Sequence, residues 1–187
     1  MRITPYQLPG LFLLEPDIHG DSRGYFFESF REDQLHALGM DLHFVQDNES
    51  KSRYGVLRGL HYQAPPFTQA KIVRVFQGAV LDVVVDIRTD SPTFGRHAAV
   101  ELSGDNKRQL LVPRGFAHGF VVLSDDAVFA YKCDNYYSKE HDRGIVYNDP
   151  QLGIDWRVPA DDLIVSEKDS KQPLFRDAAL HATAEYG

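Results

Sequence analysis

The chain has 187 residues, of which 43% are hydrophobic and 25% are charged, a composition that is ordinary for a folded globular protein and argues against intrinsic disorder. Its formal net charge of −7 argues against general binding to the phosphate backbone of nucleic acids, which needs an excess of Lys and Arg. Cys133 is the only cysteine, so the chain can form neither an intrachain disulfide nor a cysteine-rich metal site.

The N-terminal residues lack the charged start, apolar run and cleavage site of a signal peptide, and no apolar run reaches about 18 residues. We therefore expect a cytoplasmic protein that has no membrane partner. A chain of this length is predicted to fold as one domain. We expect that domain to cover residues 1–187, with residues 157–187 forming a C-terminal extension that packs on the rest.

One helix is predicted near the start of the chain, over Glu32–Leu38. Leu35 and Leu38 share a face there, and Gly39 supplies a stop. Helical or irregular structure is also predicted after Trp156, where prolines interrupt the strand pattern.

Short strands dominate the rest of the chain, as in Val80–Ile87 and Phe120–Leu123, and each ends at a turn signal. No helices lie between them to build parallel βαβ units. Polar residues crowd the inward positions of several strands, which favours a double-sheet jelly roll over an immunoglobulin-like sandwich. The predicted fold is an all-β jelly roll with short peripheral helices.

A polar cluster lies between Arg58 and Lys71, in RGLHYQAPPFTQAK, within a stretch that otherwise resembles buried strand. On a strand, His61 and Gln63 point to one face, and Arg58 points to the other unless Gly59 introduces a bulge. His61 is either a general base in a partly dry pocket or a core histidine bonded to a backbone carbonyl. Buried charge is unfavourable unless it is paired or meets a ligand, so the cluster as a whole favours a functional pocket.

Lys71 opens the next predicted strand, AKIVRVF, where alternation places it on the same face as Val73 and Val75. Such a lysine is either an edge residue whose ammonium group reaches solvent or a buried cation. A buried ammonium group beside a substrate carbonyl would stabilise the negative charge that develops on an enolate oxygen.

Two more candidates follow. In PRGFAHGF, residues 113–120, a proline and two glycines shape a tight turn and send His118 into the next strand; the alternative is an ordinary edge-strand histidine. Tyr131, in the predicted strand 127–133, shares a face with Phe129 and Cys133. An inward phenol needs a hydrogen-bond partner or a function, and it can act as a general acid while neutral at pH 7.

The two histidines raise the question of a metal site. Metal-binding cupins usually take His-x-His and a glutamate from a first motif and one histidine from a second. Here Gln63 replaces the second histidine, and Lys71 stands near the position of the carboxylate. His61 and His118 alone supply too few ligands, and a fixed cation repels a divalent ion, so we expect no metal.

Together these residues resemble one family, the dTDP-4-dehydrorhamnose 3,5-epimerases, which are metal-free cupins of deoxysugar nucleotide biosynthesis. The resemblance runs from Leu8 to about Phe175, and its strength lies in the order and completeness of the motifs. The matching segments are DSRGYFFESF (21–30), QDNES (46–50), GVLRGLHYQ (55–63), QAKIVRVFQGAVLDVVVDIR (69–88), SPTFG (91–95), VPRGFAHGFVVLS (112–124), YKCDNYYS (131–138), NDPQLGIDW (148–156) and SEKD (166–169). The resemblance implies a cupin jelly roll, or double-stranded β-helix, that forms a single epimerase domain.

The resemblance also implies catalytic roles. His61, in RGLHYQ, matches the base that removes a proton beside the C4 ketone, and Asp169, in SEKD, matches the carboxylate that holds the ring in one tautomer. Tyr131, in YKC, matches the acid that returns a proton to the opposite face. Lys71, with His118, matches the groups that stabilise the enolate. Since only protons move, no cofactor is expected.

Further positions match residues with which the family binds the nucleotide or the sugar. They are Arg23, Phe26, Glu28, Gln46, Asp47, Asn48, Arg58, His118 and Lys168, and Arg143 is a further candidate at a binding position of the family. Without the resemblance, Arg23, Glu28 and Lys168 would be interpreted as solvated surface charges. Phe26 could stack on thymine. Arg143 stands where many relatives have a glutamate, so at that position the chain departs from the family pattern.

The family is usually dimeric and exchanges N-terminal strand residues between neighbouring sites, which fits the distance in sequence between Arg23 and His61. The resemblance therefore implies a homodimer that binds a dTDP-4-dehydro-6-deoxyhexose and forms dTDP-4-dehydro-β-L-rhamnose if both C3 and C5 invert. Two alternatives stay open. One is a relative that inverts only C3 or only C5, or isomerises the ketone; the other is a non-catalytic jelly roll that binds sugar nucleotides.

Overall fold

The computed structural model describes residues 1–187 and consists mainly of short strands. The strands are β1 (Arg2–Pro5), β2 (Phe12–Glu15), β3 (His19–Asp21), β4 (Gly24–Phe26), β5 (Gln46–Arg53), β6 (Val56–Gln63), β7 (Lys71–Gln77), β8 (Ala79–Asp86), β9 (His97–Ser103), β10 (Gln109–Val112), β11 (Phe116–Val122), β12 (Asp126–Cys133), β13 (Asp142–Gly144) and β14 (Ile164–Val165). The helices are α1 (Glu32–His36), α2 (Glu167–Ser170) and α3 (Thr183–Tyr186), with 3₁₀ turns at Ala160–Asp162 and Phe175–Asp177. None of these helices has the length and apolar character needed to cross a membrane.

Two sheets face each other. The front sheet has the strand order β1-β2-β10-β7-β12-β5, and the back sheet has the order β13-β6-β11-β8-β9, with β14 beside β6. Strands β3 and β4 form a separate hairpin. All pairings are antiparallel except that of β14 with β6. The predicted all-β jelly roll with short peripheral helices is confirmed.

The core between the sheets follows from strand alternation. Val73 and Val75 of β7 point inward and pack with Phe129 of β12 and residues of the back sheet. Ile72 points outward and packs with Leu35 of α1 in a separate cluster on the outer face of the front sheet. The side-chain alternation predicted for this strand is therefore confirmed, and it places Lys71 on the inner face.

The helix at the start of the chain is shorter than predicted. It spans Glu32–His36 instead of Glu32–Leu38, and the chain continues in a turn in which the backbone N–H of Gly39 donates to the carbonyl of His36. Gly39 has a φ of +78°, a conformation that glycine adopts without steric cost. It stops the segment, as the sequence indicated.

The outer face of the back sheet is covered by residues that follow β13. Phe175 and Tyr186 are buried against Leu60 and other apolar residues of that face. Strand β14 pairs in parallel with the start of β6, and α2 follows directly. This path brings α2 next to the strand that carries His61.

Two glycines bring β6 and β11 unusually close. The register of this strand pair shifts between His118 and Phe120, where Gly59 faces Gly119. A Cβ atom on Gly59 would lie 2.6 Å from the Cα of Gly119, and Gly59 has a φ of +127°, so a side chain would clash and strain the backbone. This irregularity is the bulge that the sequence left open, and it places Arg58 on the same cavity as His61.

Candidate active site

A cavity of about 590 Å³ lies between the two sheets, and it gathers many of the predicted site residues. Those that line it are Asn48, Arg58, His61, Lys71, His118, Tyr131, Lys168 and Asp169. They come from both sheets and from α2, so sequence positions more than a hundred residues apart meet in one pocket. The volume suits a small ligand rather than a macromolecule.

His61 lies on the back sheet and is held by Asp169. Its Nε2 is 2.6 Å from Oδ1 of Asp169, and the other carboxylate oxygen accepts the backbone N–H of Gly59 at 3.2 Å. The Asp169 side chain is 5% exposed and the His61 side chain 33% exposed. An ionised carboxylate only accepts hydrogen bonds, so Nε2 carries the hydrogen and Nδ1 keeps the lone pair that a general base needs.

Local structure at α2 fixes the carboxylate. Ser166 caps the helix, with its Oγ accepting the backbone N–H of Asp169 at 3.0 Å. Burial alone would raise the pKa of Asp169, but the hydrogen bonds from His61, Gly59 and Ser166 together lower it below its ordinary value. Asp169 therefore stays ionised beside the imidazole.

His118 forms a second histidine–aspartate pair on the same sheet. It lies directly opposite His61 in the β6–β11 register, and its Nε2 is 2.8 Å from Oδ2 of Asp82 on β8. Both partners are buried, with side chains 7% and 0% exposed. The second oxygen of Asp82 makes no hydrogen bond, so the carboxylate is committed to orienting His118.

The front sheet contributes Lys71 and Tyr131, on the neighbouring strands β7 and β12. The Lys71 Nζ lies 5.5 Å from the centroid of the Tyr131 ring, and no carboxylate lies within ion-pair distance of it. Burial lowers the pKa of Lys71, although the nearby Cys133, Asp142 and Asp82 act in the opposite direction. Burial likewise raises the pKa of Tyr131, so the phenol keeps its proton at neutral pH.

Arg58 and Lys168 add positive charge to the cavity wall. The Nε and one terminal nitrogen of Arg58 each donate to the hydroxyl of Ser52 at 3.1 Å, which leaves the guanidinium without a carboxylate partner. Lys168 donates to Asp142, and the hydroxyl of Tyr137 donates to the same carboxylate at 3.0 Å. These cationic groups suit the recognition of phosphate.

The remaining predicted binding residues do not line this cavity. Arg23 and Phe26 lie on the protruding β3–β4 hairpin, where Arg23 pairs with Asp21 at 2.5 Å and Phe26 is 68% exposed. Glu28 lies 3.7 Å from Arg31.

Two neighbours on β5 and one residue of β13 also lie outside the cavity. Asp47 points to the outer face of the front sheet and accepts from Lys132. Gln46 donates to Asn48 and accepts the backbone N–H of Tyr137 at 3.0 Å. Arg143 is exposed and donates to the backbone carbonyls of residues 140 and 142.

Gln63 occupies the position at which a metal-binding cupin has a ligating histidine, and here its side chain holds backbone segments together. Its side-chain nitrogen donates to the carbonyls of Phe67 and Tyr136, and its oxygen accepts the backbone N–H of Ser138 at 2.6 Å. The described residues contain no group of three His, Cys, Asp or Glu side chains placed to hold a metal ion.

A family model for dTDP-4-dehydrorhamnose 3,5-epimerase matches residues 5–177. The chain belongs to that family. A dTDP-4-dehydrorhamnose 3,5-epimerase from Shigella flexneri is 50% identical over 179 residues, which cover 95% of this chain and 98% of the relative.

Solved structures of family members have the same fold. A dTDP-6-deoxy-D-glucose-3,5-epimerase from Legionella pneumophila Philadelphia 1, in complex with dTDP-4-keto-L-rhamnose, is 49% identical with a TM-score of 0.93 and covers 97% of both chains. A 3′-monoepimerase from Streptomyces bikiniensis, in complex with dTDP-quinovose, is 37% identical with a TM-score of 0.85, covering 92% of this chain and 87% of its own. The fold is thus shared by epimerases that differ in the carbons they invert.

Two residues that support the epimerase pocket from behind its lining were missed by sequence reasoning. Asp82 lies in VLDVVVD, residues 80–86, where the available signal was that Asp82 and Asp86 alternate with the inward Val80 and Val84. Its partner His118 is known only from the strand register. Asp142 lies beside Arg143 in KEHDRG, and only the β13–β6 pairing directs it towards Lys168. Both carboxylates hold groups that line the cavity.

Proposed function

We propose that the chain is a dTDP-4-dehydrorhamnose 3,5-epimerase that converts dTDP-4-dehydro-6-deoxy-D-glucose into dTDP-4-dehydro-β-L-rhamnose without a cofactor. One observation carries the proposal. A histidine base on the back sheet and a tyrosine acid on the front sheet line the same cavity. Epimerisation needs two such groups on opposite faces of the sugar ring, because a proton returned to its original side restores the substrate.

In this mechanism His61 removes the proton beside the C4 ketone. The C–H electron pair moves into the ring and the carbonyl oxygen becomes an enolate, while Asp169 stabilises the imidazolium that forms. Tyr131 then gives its phenolic proton to the opposite face of the same carbon. The same groups act at C3 and C5, because both carbons neighbour the ketone; between the two inversions His61 releases its proton to solvent and Tyr131 takes one up from it.

The enolate oxygen is stabilised by Lys71, with His118 beside it. Lys71 has no carboxylate partner that would neutralise its charge before the substrate binds, and it is desolvated, so its field on a developing negative charge is strong. The cations Arg58 and Lys168 are assigned to the nucleotide phosphates, together with polar contacts from Asn48.

Positional deuterium exchange tests the proposal. Incubation with dTDP-4-dehydro-6-deoxy-D-glucose in deuterated water should label both C3 and C5, read by NMR. Label at only one carbon would instead identify a monoepimerase, like the Streptomyces bikiniensis relative. Binding without exchange at either carbon would identify a non-catalytic sugar-nucleotide-binding module and reject the proposal.

We further propose that the chain works as a homodimer in which the β3–β4 hairpin of each chain completes the partner's cavity. The hairpin pairs with no other strand, and it presents Arg23, Phe26 and Tyr25 to solvent. Strand β5 is an edge of the front sheet and carries Asn48 into the cavity. Free edges of this kind are ready to accept another chain. Arg23 would then reach the phosphates and Phe26 the thymine of a ligand in the neighbouring site.

Subunit complementation tests the shared site. Arg23→Ala and His61→Ala should each be inactive alone, yet mixed dimers contain one site with both native residues. Random reassociation should therefore restore about one quarter of the native activity. A mixture that stays inactive although mass spectrometry detects the mixed dimer would reject the shared site, as would a fully active monomer.

A cytoplasmic location stays a prediction from the sequence.

A further inference from the structure

Residues 178–187 lie beyond the part of the chain that the family model matches, and they are tied to several separate parts of the jelly roll. Three groups of the jelly roll donate hydrogen bonds to backbone carbonyls of the tail: the Tyr62 hydroxyl to Ala179 at 2.9 Å, the Thr89 N–H to His181 at 2.9 Å and the Thr68 hydroxyl to Tyr186 at 2.8 Å. In the opposite direction, the N–H and the hydroxyl of Thr183 donate to the Asp90 carboxylate at 2.8 and 2.5 Å. Anchors on three separate segments, at Tyr62, Thr68 and residues 89–90, fix the path of this tail.

Tyr186 is the residue that the tail inserts most deeply. It is 2% exposed, and its ring lies so close to Gly115 that a Cβ atom there would be 3.2 Å from it. Its hydroxyl accepts the backbone N–H of His181 at 3.3 Å, within the tail itself. Burial raises the pKa of Tyr186 to about 12, so the ring enters the core as a neutral group.

Tyr186 lines a void of about 10 Å³ that Lys71 and His118 also line. The same two residues line the main cavity. They therefore form a wall with the substrate cavity on one side and this void on the other. A void of that size holds at most about one water molecule, and Tyr186, which is 2% exposed, forms part of its wall.

We propose that residues 178–187 form a plug, with Tyr186 as its positioning residue, which closes the jelly roll behind Lys71 and His118 and keeps bulk water from reaching the Lys71 side chain from that side. The plug rests on the proposed function only for its effect on catalysis. It would preserve the desolvation that makes Lys71 a strong electrostatic partner for the enolate, and it would block solvent protons from the rear of the site.

Titratable groups lie near Lys71 on several of the elements packed around it. These are Tyr131 and Cys133 on β12, Asp142 on β13, Asp82 on β8 and His118 on β11. The nearby acidic groups raise the pKa of Lys71, while burial has the larger effect and lowers it. Opening the void to water removes part of the burial and leaves the neighbouring charges in place, so the pKa of Lys71 should rise.

The direct test is an NMR titration of the Lys71 side chain with ¹³Cε-labelled lysine, assigned by the signal that Lys71→Met removes. Tyr186→Ala should raise the pKa of Lys71 by about half a unit or more, because water replaces the ring. Tyr186→Phe keeps the ring and should leave the pKa unchanged. This readout needs no substrate, so it separates failure of the plug from failure of the proposed function.

A matched control removes a buried aromatic ring from the same outer face. Phe175 is also 2% exposed and packs on that face, away from the void that Lys71 lines. Phe175→Ala should destabilise the fold without changing the pKa of Lys71. The kinetic effect should match the change in the Lys71 pKa. Tyr186→Ala should lower kcat and leave KM for the nucleotide sugar nearly unchanged, and the fall of kcat at alkaline pH should occur at a higher pH than in the native enzyme.

An unchanged Lys71 pKa in folded Tyr186→Ala would overturn the plug. So would an equal shift in Phe175→Ala, because a general loosening of the fold would then explain both. If Tyr186→Ala does not fold, a chain ended after Asp177 provides the second variant, and circular dichroism checks its folding. If neither folds, the tail is a structural element of the fold and the plug is likewise overturned.

Discussion

His61 and His118 lie opposite each other on adjacent antiparallel strands, and each is bonded through Nε2 to its own buried aspartate. The two pairs differ in exposure, since His61 is one-third exposed to the cavity whereas His118 is almost fully buried. The exposed histidine is placed to exchange a proton with a ligand. The buried one is placed to donate a hydrogen bond or to fix local charge.

Asp169→Asn should slow deuterium exchange at C3 and C5 by about 10² to 10⁴-fold. The amide cannot stabilise the imidazolium of His61 or enforce its tautomer. The measurement is the initial rate of label uptake by NMR at saturating substrate. Asp82→Asn should slow exchange less, since His118 is not assigned to remove the proton. A larger loss in Asp82→Asn than in Asp169→Asn would instead identify His118 as the base.

Asp169 should also contribute to acid stability. Its pKa in the folded chain lies below the value of 3.8 that is ordinary for an aspartate, so the unfolded chain binds more protons as pH falls. Its stabilisation is therefore complete above about pH 4 to 5 and is lost as pH falls through the lowered pKa. Urea unfolding of native and Asp169→Asn chains from pH 7 to pH 3 should give free energies of unfolding that converge towards acid.

Tyr131→Phe should impair inversion more than exchange. His61 can still remove the proton and return it to the same face, so label enters the substrate while product formation falls by about 10² to 10⁴-fold. NMR integration of labelled substrate against product gives the ratio. Equal loss of both, together with lost nucleotide binding, would assign Tyr131 a structural role.

Lys71→Met should abolish exchange yet make the fold more stable at pH 7. The pKa of Lys71 is lowered in the folded chain, so the unfolded chain binds more protons between that pKa and the ordinary value of 10.5, and stability rises with pH across this window. At pH values below this window Lys71 is protonated in both states, and the buried cation lowers the free energy of unfolding by a constant amount. Its removal should raise the free energy of unfolding by about 1 kcal/mol, measured by urea denaturation. A less stable variant would mean that Lys71 is solvated or paired.

Gly59→Ala should destabilise the chain by at least about 2 kcal/mol. Its Cβ would overlap the backbone of Gly119, and its φ of +127° is unfavourable for alanine. Gly153→Ala is the matched control, since it also has a positive φ, +57°, but meets no atom within 4 Å; it should cost about 1 kcal/mol. Equal losses in the two variants would show that backbone strain, rather than the close strand approach, explains the effect.

Strand alternation predicts part of the pocket, because the inward faces of β7 and β12 follow from the two-residue period alone. Lys71 and Tyr131 are examples. Alternation cannot supply the register between strands, so the pairing of His118 with Asp82 could not be predicted. Asp169 was found through family resemblance, since the four-residue helix that carries it has no periodic signal.

The place of the β3–β4 hairpin relative to the ligand could not be predicted from the strand pattern of one chain. Resemblance assigned Arg23, Phe26 and Glu28 to a ligand, but in one chain they lie outside the cavity. Their use depends on a second chain, which no pattern within one sequence encodes. That residues 1–187 form a single domain with residues 157–187 as an extension also stays a prediction, although Phe175 and Tyr186 pack on the back sheet.

The three hydrogen bonds of Gln63 constrain how this scaffold can evolve. Exchange of Gln63 for histidine would add one imidazole, but it would also release the backbone at Phe67, Tyr136 and Ser138 from the amide that now joins them. A lineage moving from this pocket towards metal-dependent chemistry would have to rebuild two loops before the new ligand became useful. Loop anchoring by Gln63, together with Lys71 near the position of a metal-ligating carboxylate, therefore separates the two kinds of cupin by several coordinated mutations.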